Sequence, residues 1–336
     1  MKQTKYAIIV DAIRRDIRGG RYGPGARLPG HLALAREYGV SAITSNRALS
    51  ELERLGLITR RERSGSFVNE QAGGLDDVVV VLHGSVLEEN VMSFEHWRGI
   101  VSEAEDAGVS VRTVHPSDAK FADTVAGGAH PGRGVILMMC ALPERLADQL
   151  EQQAVPQVML GMEHERSNHC VLADRRRTAS ELARTMMDDG CERIGFIGTM
   201  GASNHCLARD GYLGATAALG YGPEFVRDAN SATVPAVAAE LLDARLGLDG
   251  IIVMGSQLPV AALPVILGLG REIKLGVLTE NSTVMQLNHV AYIGWYSQAK
   301  AGRLAFQLLK NVASGEALGA TTLYPPFRIL RPGEKL

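Results

Sequence analysis

Residues 25–68 read GARLPGHLALAREYGVSAITSNRALSELERLGLITRRERSGSFV, and the order of signals in this run decides the fold of the amino-terminal part of the chain. Tyr22-Gly23-Pro24-Gly25 is a tight turn leading to Leu28-Pro29, after which His31 to Tyr38 has the spacing of a short helix stopped by Gly39. Ser41 can cap the next helix, Ala42 to Leu55, whose Leu49, Leu52 and Leu55 face a core. Leu57 to Arg61 and Ser66 to Val68 read as two strands joined by the turn Glu62-Arg63-Ser64-Gly65. Upstream, Ile9, Ala12, Ile13 and Ile17 recur at helical spacing, and Gly19-Gly20 supplies a left-handed stop. Three helices followed by a two-stranded wing predict an N-terminal winged helix-turn-helix, an α+β unit.

Charge follows the same division. Residues 1–70 hold 13 Lys and Arg against 7 Asp and Glu, whereas the remainder holds 22 against 30. The total is near neutral, yet a basic head attracts phosphate and an acidic body does not. A recognition helix presents its first residues to the groove, so Ser41, Thr44, Ser45, Asn46 and Arg47 are candidate DNA contacts. His31 and the wing residues Arg61 and Arg63 join them.

The 336 residues leave room for more than a head, and 46% hydrophobic content suits a chain with a full core. Met1 to Lys5 is polar, and no segment approaches the ~20 apolar residues that span a bilayer, so neither a signal peptide nor a membrane partner is expected. Cys140, Cys170, Cys191 and Cys206 have no paired spacing, which suits reduced thiols in a cytoplasmic protein.

Residues 70–76 are polar and glycine-bearing and read as a linker between a 1–69 head and a 77–336 body. The body alternates VVVVLHGS, a helix over Met92 to Ala107, VSVRTVH, GVILMMC, a helix over Pro143 to Gln153, and PQVMLG. The rhythm restarts with CVLAD, a helix through Met187, RIGFIG, a helix through Leu219, DGIIVMG and IKLGVL. Such alternation predicts an α/β body of two Rossmann-like lobes with parallel sheets and a ligand cleft at the strand ends between them. His83 and Ser256 follow two of those strands. Trp97 reads as packing of the first body helix, and Trp295 as the opening of the last helix, where it can be a core anchor or a cleft aromatic.

The run 25–68 resembles the winged head of the GntR family, whose pattern has L-P-S-E-R-x-L-A, then V-S-R-x-T-V-R-x-A-L-x-x-L, then a G-x-G-T-F-V wing. Arginines that the family uses on DNA are replaced by Leu32, Ala42 and Asn46, the customary Val is Ser45, and the first wing glycine is Arg63. A changed operator is one reading of these departures, with Asn46 pairing with adenine and Arg47 or Arg63 replacing lost phosphate charge; weakened DNA binding is the other. The body, through VLADRRRTASELARTMMDDGCERIGFIG, ARDGYLGATAALG and PPFRILR, is similar to the periplasmic-binding-protein-like (type I) effector domain of the LacI family. Together the two resemble the arabinose-repressor subgroup. That resemblance implies a homodimeric regulator, in the usual case a repressor, that binds a double-stranded operator and responds to a small carbohydrate-like effector. It also implies that Asp174 and Arg209 hold ligand hydroxyls, with Glu280, or Thr279 beside it, where the family places another acidic ligand contact. Asp174 has a second sufficient explanation as the cap of the helix beginning at Arg175.

Catalysis has no support: G-x-S-x-G, G-x-x-x-x-G-K-[ST] and G-x-G-x-x-G after a strand are missing. HERSNH, residues 164–169, has one residue too many for H-E-x-x-H. SNHC occurs at 167–170 and 203–206, but neither copy has the short spacing of a zinc motif, so no metal or cofactor is expected. The alternative to a regulator is a ligand-binding module whose degenerate head serves docking or dimerisation.

Overall fold

The computed structural model describes residues 5–18, 20–54, 57–61, 64–69, 74–82, 91–127, 132–166, 168–220, 222–279, 284, 289–314, 316–317, 319–331 and 334. The head has the expected elements: α1 (Lys5–Arg18), α2 (His31–Glu37), α3 (Ala42–Arg54), β1 (Ile58–Arg61) and β2 (Gly65–Val68). Ile9, Ile13 and Ile17 of α1 meet Leu34, Leu49 and Leu52 in one core, closed below by Ile58 and Val68. Each such side chain contributes about 1.5–3 kcal/mol on full burial, which holds α3 against α1 and α2. Ser41 caps α3 through Oγ, which accepts from the Thr44 backbone N–H at 3.2 Å. Between α2 and α3 the chain reverses at Gly39, whose φ of +60° lies in the left-handed region. The wing strands pair antiparallel from Ile58↔Val68 to Arg61↔Gly65. Leu55 lies outside the described residues.

After the head come β3 (Asp77–Leu82), α4 (Val91–Asp106), β4 (Ser110–Val114), α5 (Phe121–Ala126), β5 (Arg133–Met138), α6 (Glu144–Gln152), β6 (Gln157–Leu160) and β7 (His169–Val171). Then follow α7 (Arg175–Asp188), β8 (Ile194–Gly198), α8 (Ser203–Thr216), β9 (Val226–Asp228), α9 (Val234–Leu241), β10 (Gly250–Met254), α10 (Leu258–Gly268), β11 (Lys274–Leu278), β12 (Tyr292–Tyr296), α11 (Gln298–Ser314), β13 (Thr321–Leu323) and β14 (Phe327–Leu330). They build two six-stranded sheets, ordered β13-β7-β6-β5-β3-β4 and β14-β12-β11-β10-β8-β9. Every pairing is parallel except β14 on β12. Parallel strands covered on both faces read as near-continuous apolar runs; β3 and β10 are buried at every residue, and β3 is apolar from Val78 onward.

The chain divides into two compact units, 1–172 with 299–323 and 173–298 with 324–336. This corrects the expected restart at CVLAD: Cys170 and Val171 form β7 in the first sheet, beside β6 and β13, and the second unit begins only after Leu172. In the first unit α4 and α11 cross with their backbones touching, since a Cβ at Gly302 would collide with the His96 carbonyl and one at Gly99 with the Ala299 carbonyl. No helix among the described residues is long and apolar enough to cross a membrane.

Candidate nucleic-acid interface and ligand residues

The outward stripe of α3 is Ile43, Asn46, Arg47 and Ser50, all exposed, opposite the buried stripe Ser45, Ala48, Leu49 and Leu52. Helical spacing alone separates the two faces. Ser45 therefore leaves the list of DNA contacts: it is fully buried, and its Oγ donates to the His31 carbonyl at 2.7 Å and lies 3.0 Å from the Ala42 carbonyl, pinning α3 to the start of α2. Its spacing with Ala48, Leu49 and Leu52 already carried that message. His31 is exposed beside this pin. Ser41 and Thr44 share a hydroxyl–hydroxyl bond of 2.8 Å. Arg47 lies over the Tyr6 ring, 4.2 Å from its centroid, which keeps the guanidinium extended at the surface. Arg61 stands over Phe67 on the wing; Arg63 lies outside the described residues.

A residue that the sequence reading passed over ties these parts together. Arg60 of β1 donates from Nη2 to Asn46 Oδ1 at 2.8 Å and from Nη1 to Ser50 Oγ at 3.0 Å, while its backbone N–H donates to Glu53 Oε1. The wing is thus fastened to the outward stripe of the recognition helix.

In the second unit the registers Val253↔Ile197, Met254↔Leu278 and Leu278↔Gly294 bring the carboxyl ends of β8, β10, β11 and β12 to one edge. Ser256 follows β10 there, half-buried, and Thr279 follows β11, buried. The amino end of α7 starts at the same edge, and Asp174 caps it by accepting from the Arg177 N–H at 3.0 Å. The capping explanation of Asp174 is the one the structure displays. Arg175 lies over Tyr296, 5.5 Å from the ring centroid. Arg209 turns instead to Asp210, with Nη2 at 2.6 Å, and Arg176 reaches the same carboxylate at 3.4 Å. This partly exposed pairing is weak enough for a ligand to exchange.

His205 is the residue of this edge that the sequence singled out only as part of SNHC. Its Nδ1 accepts the Thr199 N–H at 2.8 Å, so in the neutral ring the proton sits on Nε2 and is available as a donor. Burial, reinforced by the Arg175 charge, holds its pKa below the ordinary histidine value. Among the described residues no group of three or more His, Cys, Asp or Glu converges as a metal site.

Trp295 requires a correction: it belongs to β12, opposite Arg328 of β14, and α11 opens three residues later. Trp97 donates from Nε1 to Thr113 Oγ1 of β4 at 3.0 Å and stacks on Phe94. His83 and Glu280 lie outside the described residues. A cavity of about 510 Å³ opens elsewhere, in the first unit, lined by Leu137, Val155, Met159, His164 and His169 among others; among the described residues, none of the expected effector residues lines it. Its lining mixes apolar side chains with Arg15, Glu151, His164, Arg166 and His169.

Residues 5–68 match the model of the bacterial regulatory proteins of the gntR family. A histidine utilization repressor of Klebsiella aerogenes is 38% identical over 68 residues, which are 20% of this chain and 28% of that protein. The chain thus matches little more than a quarter of that relative's length. Over the two sheets the fold is shared with a LacI-family regulatory protein of Chloroflexus aggregans, at TM-score 0.65 and 15% identity over 77% of this chain and 98% of that one. A complex of the transcriptional regulator CelR with cellobiose reaches TM-score 0.61 at 18% identity, covering 91% of this chain and all of that one. The head is a GntR-type winged helix-turn-helix, and the two-sheet part has the periplasmic-binding-protein-like fold of LacI-type regulators.

Proposed function

We propose that this chain is a cytoplasmic, sequence-specific DNA-binding transcription regulator, working as a repressor, whose operator affinity is set by a small carbohydrate-like effector. The observation that carries this reading is the exposed stripe Ile43, Asn46, Arg47 and Ser50 on the helix that a winged head lays in the major groove, in a segment with an excess of positive charge. The domains are a 1–69 head, a 70–76 linker and a 77–336 effector body. The effector meets the second unit's strand edge, where the His205 Nε2–H and Ser256, beside the Arg175 charge, offer hydrogen bonds suited to a hydroxyl-rich ligand. The fold shared with a cellobiose-bound regulator supports that class of ligand. Coupling between effector and operator of this kind is typically worth about 1–3 kcal/mol. Nothing in this role requires catalysis.

The working form is a homodimer, which suits an operator of two half-sites. The exposed Phe94, stacked on Trp97 of α4 with ring centroids 5.8 Å apart, is an apolar face suited to a second copy. Phe94→Glu is expected to shift the protein from dimer to monomer in analytical ultracentrifugation; an unchanged dimer removes this face from the interface. The regulator reading itself is tested by binding of the full chain to a duplex from its own upstream region across a salt series. Tight, sequence-selective binding that weakens steeply with salt is the expected result. Binding that is absent, or indifferent to salt, would instead mean that the head serves docking.

A further inference from the structure

We propose that Asn46 reads the major groove as a hydrogen-bond donor, selecting the guanine edge and discriminating against adenine, because Arg60 takes one lone pair of its carbonyl and sets a positive charge beside the other. The proposal rests on the DNA-binding reading and names which base that head selects.

A guanidinium carries donors only, so the Asn46 atom that meets Arg60 Nη2 at 2.8 Å is the oxygen, and the amide orientation follows from chemistry. An adenine contact needs both ends of a carboxamide: the oxygen accepts from N6 while the nitrogen donates to N7. Here an adenine amino group would approach an oxygen already bonded to a cation, and would meet that positive charge alongside it. Guanine presents O6 and N7, both acceptors, to the Asn46 amide protons and to the neighbouring guanidinium. The same clamp engages Ser50 Oγ at 3.0 Å, and Thr44 Oγ1 is bonded to Ser41 Oγ. Other hydroxyl oxygens near the stripe are therefore also in use. Ile43, 83% exposed and one turn before Asn46 and Arg47, adds a bare apolar group that suits a thymine methyl. The reading surface is donor, cation and methyl contact.

The test is enrichment of duplexes from a randomised pool by the full chain, followed by competition binding with single-base variants. Wild type is expected to select guanine at one position of each half-site, and Asn46→Ala to lose that preference. Arg60→Ala frees the carbonyl and is expected to move that position toward adenine by about fivefold or more, from the worth of one bidentate base contact. Asn46→Asp, at an exposed position that leaves the head core intact, keeps the Arg60 partner but has no donor, and is expected to weaken the guanine preference. Adenine selected by wild type at the Asn46-dependent position, or a guanine preference unchanged in Arg60→Ala or Asn46→Asp, overturns the assignment while leaving the regulator reading intact. Failure to enrich any duplex overturns both.

Discussion

Asp77→Ala is expected to destabilise the first unit by about 3–5 kcal/mol, the usual cost of removing one member of a buried ion pair. Asp77 opens β3 with its side chain 8% exposed, and its carboxylate accepts Arg133 Nε at 2.9 Å and Arg112 through Nε at 2.9 Å and Nη2 at 2.5 Å. Without it Arg133, 9% exposed, keeps the Gly127 carbonyl and loses the carboxylate bonded to its Nε, whereas Arg112, 43% exposed, returns to water at little cost. Trp97 reports on this place, because its indole N–H is bonded to Thr113, the neighbour of Arg112 on β4. Urea unfolding followed by Trp97 fluorescence in a Trp295→Phe background should show the midpoint fall by about 1–5 M, given m-values of about 1–3 kcal/mol/M. The pH dependence has a definite sign. Burial alone would raise the Asp77 carboxyl, but the hydrogen bonds and charges of Arg112 and Arg133 outweigh it and hold the group below the usual range. A depressed folded pKa adds stability above the unfolded value, about pH 4, and loses it as the pH falls toward the folded one. The gap between wild type and Asp77→Ala should therefore be constant near neutrality and narrow below about pH 4. Equal midpoints at pH 7 would refute the reasoning, since Arg133 would then have found water without cost.

Gly302→Ala should destabilise the same unit by about 1–3 kcal/mol despite the better helix propensity of alanine, because the new Cβ meets the His96 carbonyl where α4 and α11 cross; the Trp97 transition measures it, and a more stable variant would contradict the close crossing. Nitrogen NMR shifts should show His205 as the Nε2–H tautomer at pH 7, titrating below 6.5, the direction that burial and Arg175 impose. Arg47→Ala should weaken operator binding uniformly across sequences and lower the salt slope by about 1, as loss of a phosphate contact does; a change confined to one base position would make Arg47 a base reader instead.

The elements of this fold were legible because each is written locally. The apolar run Val78 to Leu82 reads as a buried parallel strand, and the stripe Ala48, Leu49 and Leu52 reads as the inner face of α3. What the sequence did not carry is the choice of partner for a short segment. His169–Val171 is equally good as the last strand of one sheet or the first of the next, and only its pairing with β6 and with β13, some 150 residues later, decides. Trp295 failed for a related reason. Tyr292 to Tyr296 has strand residues, but the helical pattern starting at Gln298 follows so closely that local sequence does not separate the two elements.

Site residues obey the same division between local and distant. Asp174 and Ser41 perform capping that sequence position alone announces. Asn46 is different, because its chemistry depends on a residue fourteen positions away, on the wing. Read by itself it is the usual partner of adenine; placed against Arg60 its oxygen keeps one lone pair, with a cation beside it that disfavours an adenine amino group. The replacement of a family arginine by Asn46 therefore need not empty the recognition face of positive charge. Arg60 brings a guanidinium from β1 to the same place, and the head keeps a cation at its groove surface while moving its point of attachment from the helix to the wing.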